Sequence, residues 1–291
     1  MRPARNCCGV ACGARAGAVE HASVTQKTAF AGGTVSYGRL AGLTYLDLDF
    51  AYVTCVNSSG LVNTMEELNI SASTLIGIHP EGLAALTALK SLTLFGSEIA
   101  ADVNAQSVDT KLDSETRLPA QMPVLSCMTF LDLELCSPVQ RDFDLSCLYT
   151  LNNLRELSVS LGAGVAHARV GPTLSCLSNL ESLKVDFTSF QQHTLTLQAP
   201  WHLMLRLQRV SFRAGVYHFS RDLLGLTQLP GLKEIFFLNG SPGDHSSLAL
   251  FGALVYNMAI HCPSVILKLP LHCPLLPSKA CSAPFVNAAL C

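Results

Sequence analysis

A pair of apolar residues separated by one position recurs along this chain and constrains its fold more than any other feature. In the stretch LSCLSNLESLKV, from Leu174 to Val185, leucines stand three residues apart until the spacing shortens to two between Leu183 and Val185. A spacing of two puts both side chains on one face of a short strand, whereas a spacing of three fits neither a helix nor a strand. The stretch therefore predicts a repeating unit that ends in a strand.

The same pair occurs in eight units, each with apolar residues three and six positions before it. The pairs are Leu46/Leu48, Leu68/Ile70, Leu92/Leu94, Leu131/Leu133, Leu157/Val159, Leu183/Val185, Val210/Phe212 and Ile235/Phe237. Successive pairs lie 22 to 27 residues apart, except for one interval of 39 residues. The pattern resembles the leucine-rich repeat family, whose L-x-x-L-x-L core and period of about 20 to 29 residues it matches between Tyr37 and Leu269.

This resemblance implies an α/β fold, a leucine-rich-repeat solenoid or horseshoe whose parallel strands line a concave sheet. All units run in the same direction and need a return segment, so neighbouring strands should pair in parallel. The convex segments are predicted to be mostly irregular. Near the end of the chain, helical spacing of apolar residues from Leu248 to Ile260 predicts a helix, and VILKL at Val265 to Leu269 predicts a ninth strand.

Three segments follow from the extent of the repeats. Residues 1–36 are rich in Ala, Gly and Cys and are predicted to be a leader or disordered segment, with an organelle transit peptide as the alternative. Residues 37–269 form the repeat domain, and residues 270–291, which contain four prolines, form an irregular tail. The polar stretch Asp102 to Arg117 lies in the longest interval; we expect a surface excursion there, and a partner-binding loop is the alternative.

Composition argues against several classes of function. Only 14% of the residues are charged and 49% are hydrophobic, which stacked units explain because each buries its own apolar stripe. The longest apolar run, Leu248 to Ile260, is shorter than the roughly 20 residues that cross a bilayer, so we expect no membrane span. The net charge of −2 argues against a nucleic-acid partner. Twelve irregularly spaced cysteines are interpreted as free core residues, which favours a reduced, cytoplasmic location.

Motifs that carry chemistry are weak or missing. The glycines in SVSLGAGVAHA follow a strand, but His167 stands where a dinucleotide-binding loop needs a small residue. The two HCP triplets at His261 and His272 contain four possible zinc ligands, yet adjacent residues of a strand point to opposite faces and rarely converge on one metal ion. We therefore expect neither enzyme activity nor a cofactor.

Alternation along each strand defines the candidate binding residues, because the residues between and beside the buried anchors point to the open, concave face. These triplets carry six acids and no base in the first five units, and four bases against two acids in the last four. Aromatic side chains lie among the charges and are candidate anchors. The predicted partner-binding residues are Tyr45, Asp47, Asp49, Glu67, Phe95, Phe130, Asp132, Glu134, Glu156, Lys184, Arg209, Arg213 and Phe236.

These features favour a non-catalytic module that binds a partner protein on its concave face. The predicted C-terminal helix and the Cys-Pro step before the last strand also resemble the substrate-recognition part of a ubiquitin ligase, which is one alternative. The sensing domain of a receptor or immune-type protein is another. The sequence leaves the partner and the oligomeric state open.

Overall fold

The computed structural model describes residues 21–26, 34–36, 44–50, 55–57, 64–72, 86–96, 124–135, 142–162, 165–187 and 193–269. The chain divides into two compact units, Met1–Met128 and Thr129–Cys291, and each is described by itself. The predicted excursion at 102–117 and the predicted tail at 270–291 lie outside the described residues.

The first unit contains parallel strands in the register that the repeats predict. Strands β1 (His21–Gln26), β3 (Tyr45–Phe50), β5 (Glu67–Ala72) and β6 (Ser91–Gly96) pair in that order, and β2 (Thr34–Ser36) pairs with β4 (Cys55–Asn57). Leu46, Leu68 and Leu92 are partners across three strands, and all are fully buried. The first residue of each anchor pair therefore forms a continuous apolar ladder.

Strand β1 lies inside the segment that was predicted to be a leader. Ala22 and Val24 pair with Leu46 and Leu48, so they occupy anchor positions with smaller side chains. The sequence pattern missed this strand because Ala22, and Ala16 six residues before it, stand where the other units have larger apolar residues. Residues 21–26 and 34–36 thus form strands where disorder was expected, whereas the domain boundaries stay a prediction.

The second unit contains a main sheet of six parallel strands. They are β7 (Phe130–Leu135), β9 (Glu156–Leu161), β11 (Ser182–Phe187), β13 (Arg209–Arg213), β15 (Glu234–Leu238) and β17 (Ile266–Lys268), in this order. Their anchors form two buried ladders, Leu131–Leu157–Leu183–Val210–Ile235 and Leu133–Val159–Val185–Phe212–Phe237. The predicted repeat register is confirmed.

A tight turn before strands β9, β11 and β13 explains the three-residue spacing of the leucines. The N–H of Leu180 donates to the carbonyl of Leu177, and the equivalent bond joins Leu154 to Leu151 and Leu207 to Met204. A bond to the third residue back closes such a turn and points both apolar residues the same way. These residues are all buried, so the turn and the strand fill one core.

Return segments of the second unit are more regular than predicted. A second parallel sheet contains β8 (Asp142–Asp144), β10 (His167–Val170), β12 (Thr194–Leu197), β14 (Val216–Phe219) and β16 (Ser241–Pro242). Four 3₁₀ helices, Leu145–Leu148, Pro172–Cys176, Trp201–Leu203 and Arg221–Gln228, follow the first four of these strands. Alternation in TLTL and VYHF buries every second residue, and the Tyr217 and Phe237 rings, 5.6 Å apart, join the two sheets.

Helix α1 (His245–His261) confirms the predicted helix and lies against this core. The Asp244 side chain caps it by accepting a hydrogen bond of 2.6 Å from the Ser247 N–H. Phe251 stacks on Phe219 with ring centroids 5.5 Å apart, so the helix is fixed to the second sheet. Within the described residues, no helix has the length and apolar character needed to cross a membrane.

Two buried side chains bond the backbone of neighbouring units. The Tyr217 hydroxyl accepts from the Ala214 N–H at 3.1 Å and lies 2.8 Å from the Leu238 carbonyl, to which it can donate. Burial raises the pKa of Tyr217 above its usual range, so this donor stays protonated. His193 similarly places its Nδ1 2.7 Å from the Val165 carbonyl. These bonds hold successive turns together.

The cysteines differ from their sequence interpretation. Cys127 and Cys176 are exposed free thiols, and Cys262 is partly exposed. In the LSC triplets that contain the first two, the leucines Leu125 and Leu174 are buried instead. The turn spacing brings the leucines inward and leaves the cysteines outside, so the interpretation as core residues was wrong for Cys127 and Cys176.

Candidate functional site

The candidate site lies on the open face of the main sheet in the second unit, meaning the side that faces away from the buried anchors. Its residues form three cross-strand rows. The rows are Phe130–Glu156–Ser182–Arg209–Glu234–Ile266, Asp132–Ser158–Lys184–Ser211–Phe236–Lys268 and Glu134–Ser160–Asp186–Arg213–Leu238. Neighbours in a row are about 4.8 Å apart, so the charges act on one surface.

Eight of the thirteen predicted site residues lie on this open face. Glu156, Lys184 and Arg209 are exposed. The other five are partly exposed: Phe130, Asp132, Glu134, Arg213 and Phe236. Because the anchors between them are buried, the alternation that the sequence predicted is present in β7, β9, β13 and β15; in β11 it ends at Lys184, since Asp186 is also buried.

The remaining five predicted residues belong to the sheet of the first unit. Glu67 and Phe95 are exposed, and Tyr45 and Asp47 are partly exposed. The Tyr45 hydroxyl accepts a hydrogen bond of 3.2 Å from the Asn69 amide, so this ring is tied to the next strand. Asp49 is placed opposite Ser71 by the strand register. Five of the thirteen residues thus lie in the first unit and eight in the second.

Asp186 was missing from the predicted site residues and is the most buried charge of the open face. It is 7% exposed. Its Oδ2 lies 3.2 Å from the Lys184 Nζ, and its Oδ1 lies 3.9 Å from the Arg213 Nε. Among the described residues, Oδ1 accepts no hydrogen bond. Lys184 and Arg213 thus share one buried carboxylate, and the two predicted cations are not independent surface charges.

Arg209 and Lys268 complete the basic side of the open face. Within the described ranges, Arg209 forms no salt bridge, although Glu234 is its partner on β15. The Lys268 ammonium lies 4.6 Å from the centre of the Phe236 ring, a cation–π contact. Lys268 is not one of the thirteen predicted site residues, but it is exposed and belongs to this face.

A metal centre receives no support from the described part of the chain. There, no three His, Cys, Asp or Glu side chains are grouped so that they could hold a metal ion. Of the four possible ligands in the two HCP triplets, His261 and Cys262 lie in the described part of the chain, whereas His272 and Cys273 lie outside it. The Cys262 thiol lies 3.3 Å from the Thr227 carbonyl, and burial raises its pKa, which disfavours the thiolate that binds metals.

No protein-family model and no curated protein matches this sequence. Among solved structures, the chain is similar to an internalin C2 from Listeria monocytogenes, with a TM-score of 0.42 and 19% identity over 70% of each chain. It is also similar to an internalin (inlF) from the same organism, with a TM-score of 0.38 and 16% identity over 86% of this chain and 75% of the other. The buried L-x-x-L-x-L ladders, their tight turns and their parallel register are those of a leucine-rich-repeat fold.

Proposed function

We propose that the chain is a non-catalytic protein-binding module and that the open face of its second unit contacts the partner. The observation that carries this proposal is the arrangement of charged and aromatic side chains over a buried apolar ladder. The ladder holds six strands in one register, so the face is preorganised and little conformational entropy is lost on binding. Phe130 and Phe236 are partly exposed among the charges and would act as anchors.

The composition of this face supports binding rather than catalysis. Its three rows contain no His and no Cys, the side chains that most often activate or serve as nucleophiles. Serines are present at four positions, yet none has a histidine beside it in the rows. We also propose a cytoplasmic location, which the free thiols of Cys127 and Cys176 support because disulfides are rare in reducing compartments.

Affinity capture with two matched double variants tests the proposal. Arg209→Glu with Lys268→Glu reverses two charges on the open face, whereas Arg206→Glu with Arg221→Glu makes the same change in net charge outside the main sheet. Circular dichroism checks that both variants are folded. We expect specific partners to be lost only from the first variant. Identical partner sets for the wild type and both variants would refute binding through this face.

A further inference from the structure

We propose that the open face of the second unit binds a short peptide segment with two opposite charges, its acidic residues over β11 and β13 and its basic residues over β7 and β9. This inference rests on the proposed function and names the chemistry of its partner. It follows from where the cations and the acids stand in the strand register, and from the short distance between them.

Three cations surround one small side chain at the basic side of the face. Lys184 is the cross-strand partner of Ser211, and Arg209 and Arg213 flank Ser211 on the same face of β13. Residues two apart on a strand are about 6.6 to 6.8 Å apart. Because the Ser211 hydroxyl is short, an acidic side chain arriving over Ser211 would lie beside Arg209 and next to the Lys184 and Arg213 pair, whose two charges share the single carboxylate of Asp186.

The basic side keeps an excess of positive charge after its own acids are counted. Asp186 neutralises one charge of the Lys184 and Arg213 pair, and Glu234 stands beside Arg209. With Lys268 included, four bases stand against two acids on β11 to β17. Because Asp186 is buried, it cannot turn outward to repel an acidic ligand without breaking both contacts.

The acidic side lies only a few strands away. Asp132 and Glu134 on β7 and Glu156 on β9 face outward, and no base stands with them in these two strands' triplets. From β13 to β7 there are three strand spacings, or about 14 Å. An extended peptide covers that distance in about four residues at roughly 3.3 Å per residue, which sets the separation of the two charges in the ligand.

This layout also decides between a peptide and a nucleic acid. A continuous polyanion held by Arg209 would meet Glu156 two strands away, about 10 Å along the row, and then the two acids of β7. Each like-charge pair at that distance repels only weakly in water, but Glu156, Asp132 and Glu134 all act in the same direction and oppose binding of a polyanion. A peptide whose charge changes sign after about four residues meets an opposite charge at both ends.

Selection from a random peptide library against the wild-type full chain tests the inference, with affinities of the enriched peptides then measured by fluorescence polarisation. We expect enriched peptides to carry Asp or Glu about four positions from Lys or Arg. The Arg209→Glu and Lys268→Glu double variant should weaken their binding about tenfold or more, and the Arg206→Glu and Arg221→Glu double variant should leave it unchanged. Moving the two charges of one peptide next to each other should also weaken binding.

Other results would overturn the inference, and they show whether the proposed function fails with it. Peptides that depend on Arg209 and Lys268 but lack the paired charges would leave the proposed function standing and refute the two-charge ligand. Peptides that bind all variants equally would refute both. Failure to enrich any peptide would overturn the inference. Binding of single-stranded DNA that is tighter than peptide binding and that Arg209→Glu abolishes would also overturn it, in favour of a polyanionic ligand.

Discussion

Phe237 is the residue whose replacement most directly measures how the second unit is held together. It is fully buried, and its ring lies 5.2 to 5.7 Å from those of Phe212, Tyr217, Phe219 and Phe251, centre to centre. One side chain therefore joins the main sheet, the second sheet and helix α1. Truncating a buried Phe to Ala costs about 3 to 5 kcal/mol, and each favourable aromatic pair adds about 0.5 to 1.5 kcal/mol beyond burial. Because the range for Phe to Ala already contains such pairs and Phe237 makes four of them, we expect Phe237→Ala to lower the free energy of unfolding by about 5 kcal/mol, the upper end of that range.

The adjacent residue provides a matched control. Phe236 has the same chemistry on the same strand, but its ring is partly exposed and contacts Lys268, so Phe236→Ala should cost less than about 1 kcal/mol. Urea denaturation followed by the fluorescence of the single tryptophan, Trp201, measures both, because that indole lies against Phe212 in the same cluster. Equal costs for the two variants would show that the assignment of inward and outward faces on β15 is wrong.

Three further outcomes are expected. Gly240→Ala should destabilise by about 1 to 3 kcal/mol in urea denaturation, because its Cβ would lie 2.6 Å from the Tyr217 ring, whereas Gly231→Ala, with 3.9 Å of space, should change little. Tyr217→Phe should cost about 1 to 3 kcal/mol and speed amide exchange at Ala214; unchanged exchange would refute the hydroxyl's role. The hydrogen bond from the Ser247 N–H, and to a smaller extent the one with His218, holds the pKa of Asp244 below its ordinary value of 3.8. The Asp244 carboxylate therefore stabilises the fold fully above pH 3.8. This stabilisation is lost as the pH falls through the lowered pKa. A pH titration of helicity should show this loss in the wild type and a smaller one in Asp244→Asn.

The anchors and their register could be predicted because one physical requirement fixes them in every unit. A solenoid unit buries its leucines only by stacking on the next unit, so each unit must place apolar residues at the same positions. That requirement appears directly as repetition in the sequence. It also explains why β1 was missed, since the register places Ala22 and Val24 opposite Leu46 and Leu48, Ala22 is small, and the position six residues before Ala22 is again an alanine, Ala16.

The second sheet was missed for a different reason. Its strands are two to four residues long, and a stretch such as TLTL or VYHF shows only two cycles of alternation. Two cycles are too few to separate a strand from a loop by pattern alone. The strands become evident only when neighbouring units are stacked, because Leu195 pairs with Ala168 on one side and with Tyr217 on the other. Their stability comes from the neighbouring units more than from the local sequence.

In the candidate site, too, the alternation of residues along a strand predicts part of the structure, and side-chain packing between strands determines the rest. Alternation assigns a residue to the open face, which was enough to place Glu156, Lys184 and Arg209. It does not tell which charges meet, because that depends on the length and direction of side chains on neighbouring strands. Asp186 lies on the open face by register and is nevertheless buried against Lys184, with Arg213 close by. The net charge that a partner meets is therefore set by pairing across strands, and this is why exchanging Arg209, which forms no salt bridge among the described residues, tests the face more cleanly than exchanging Lys184 or Arg213.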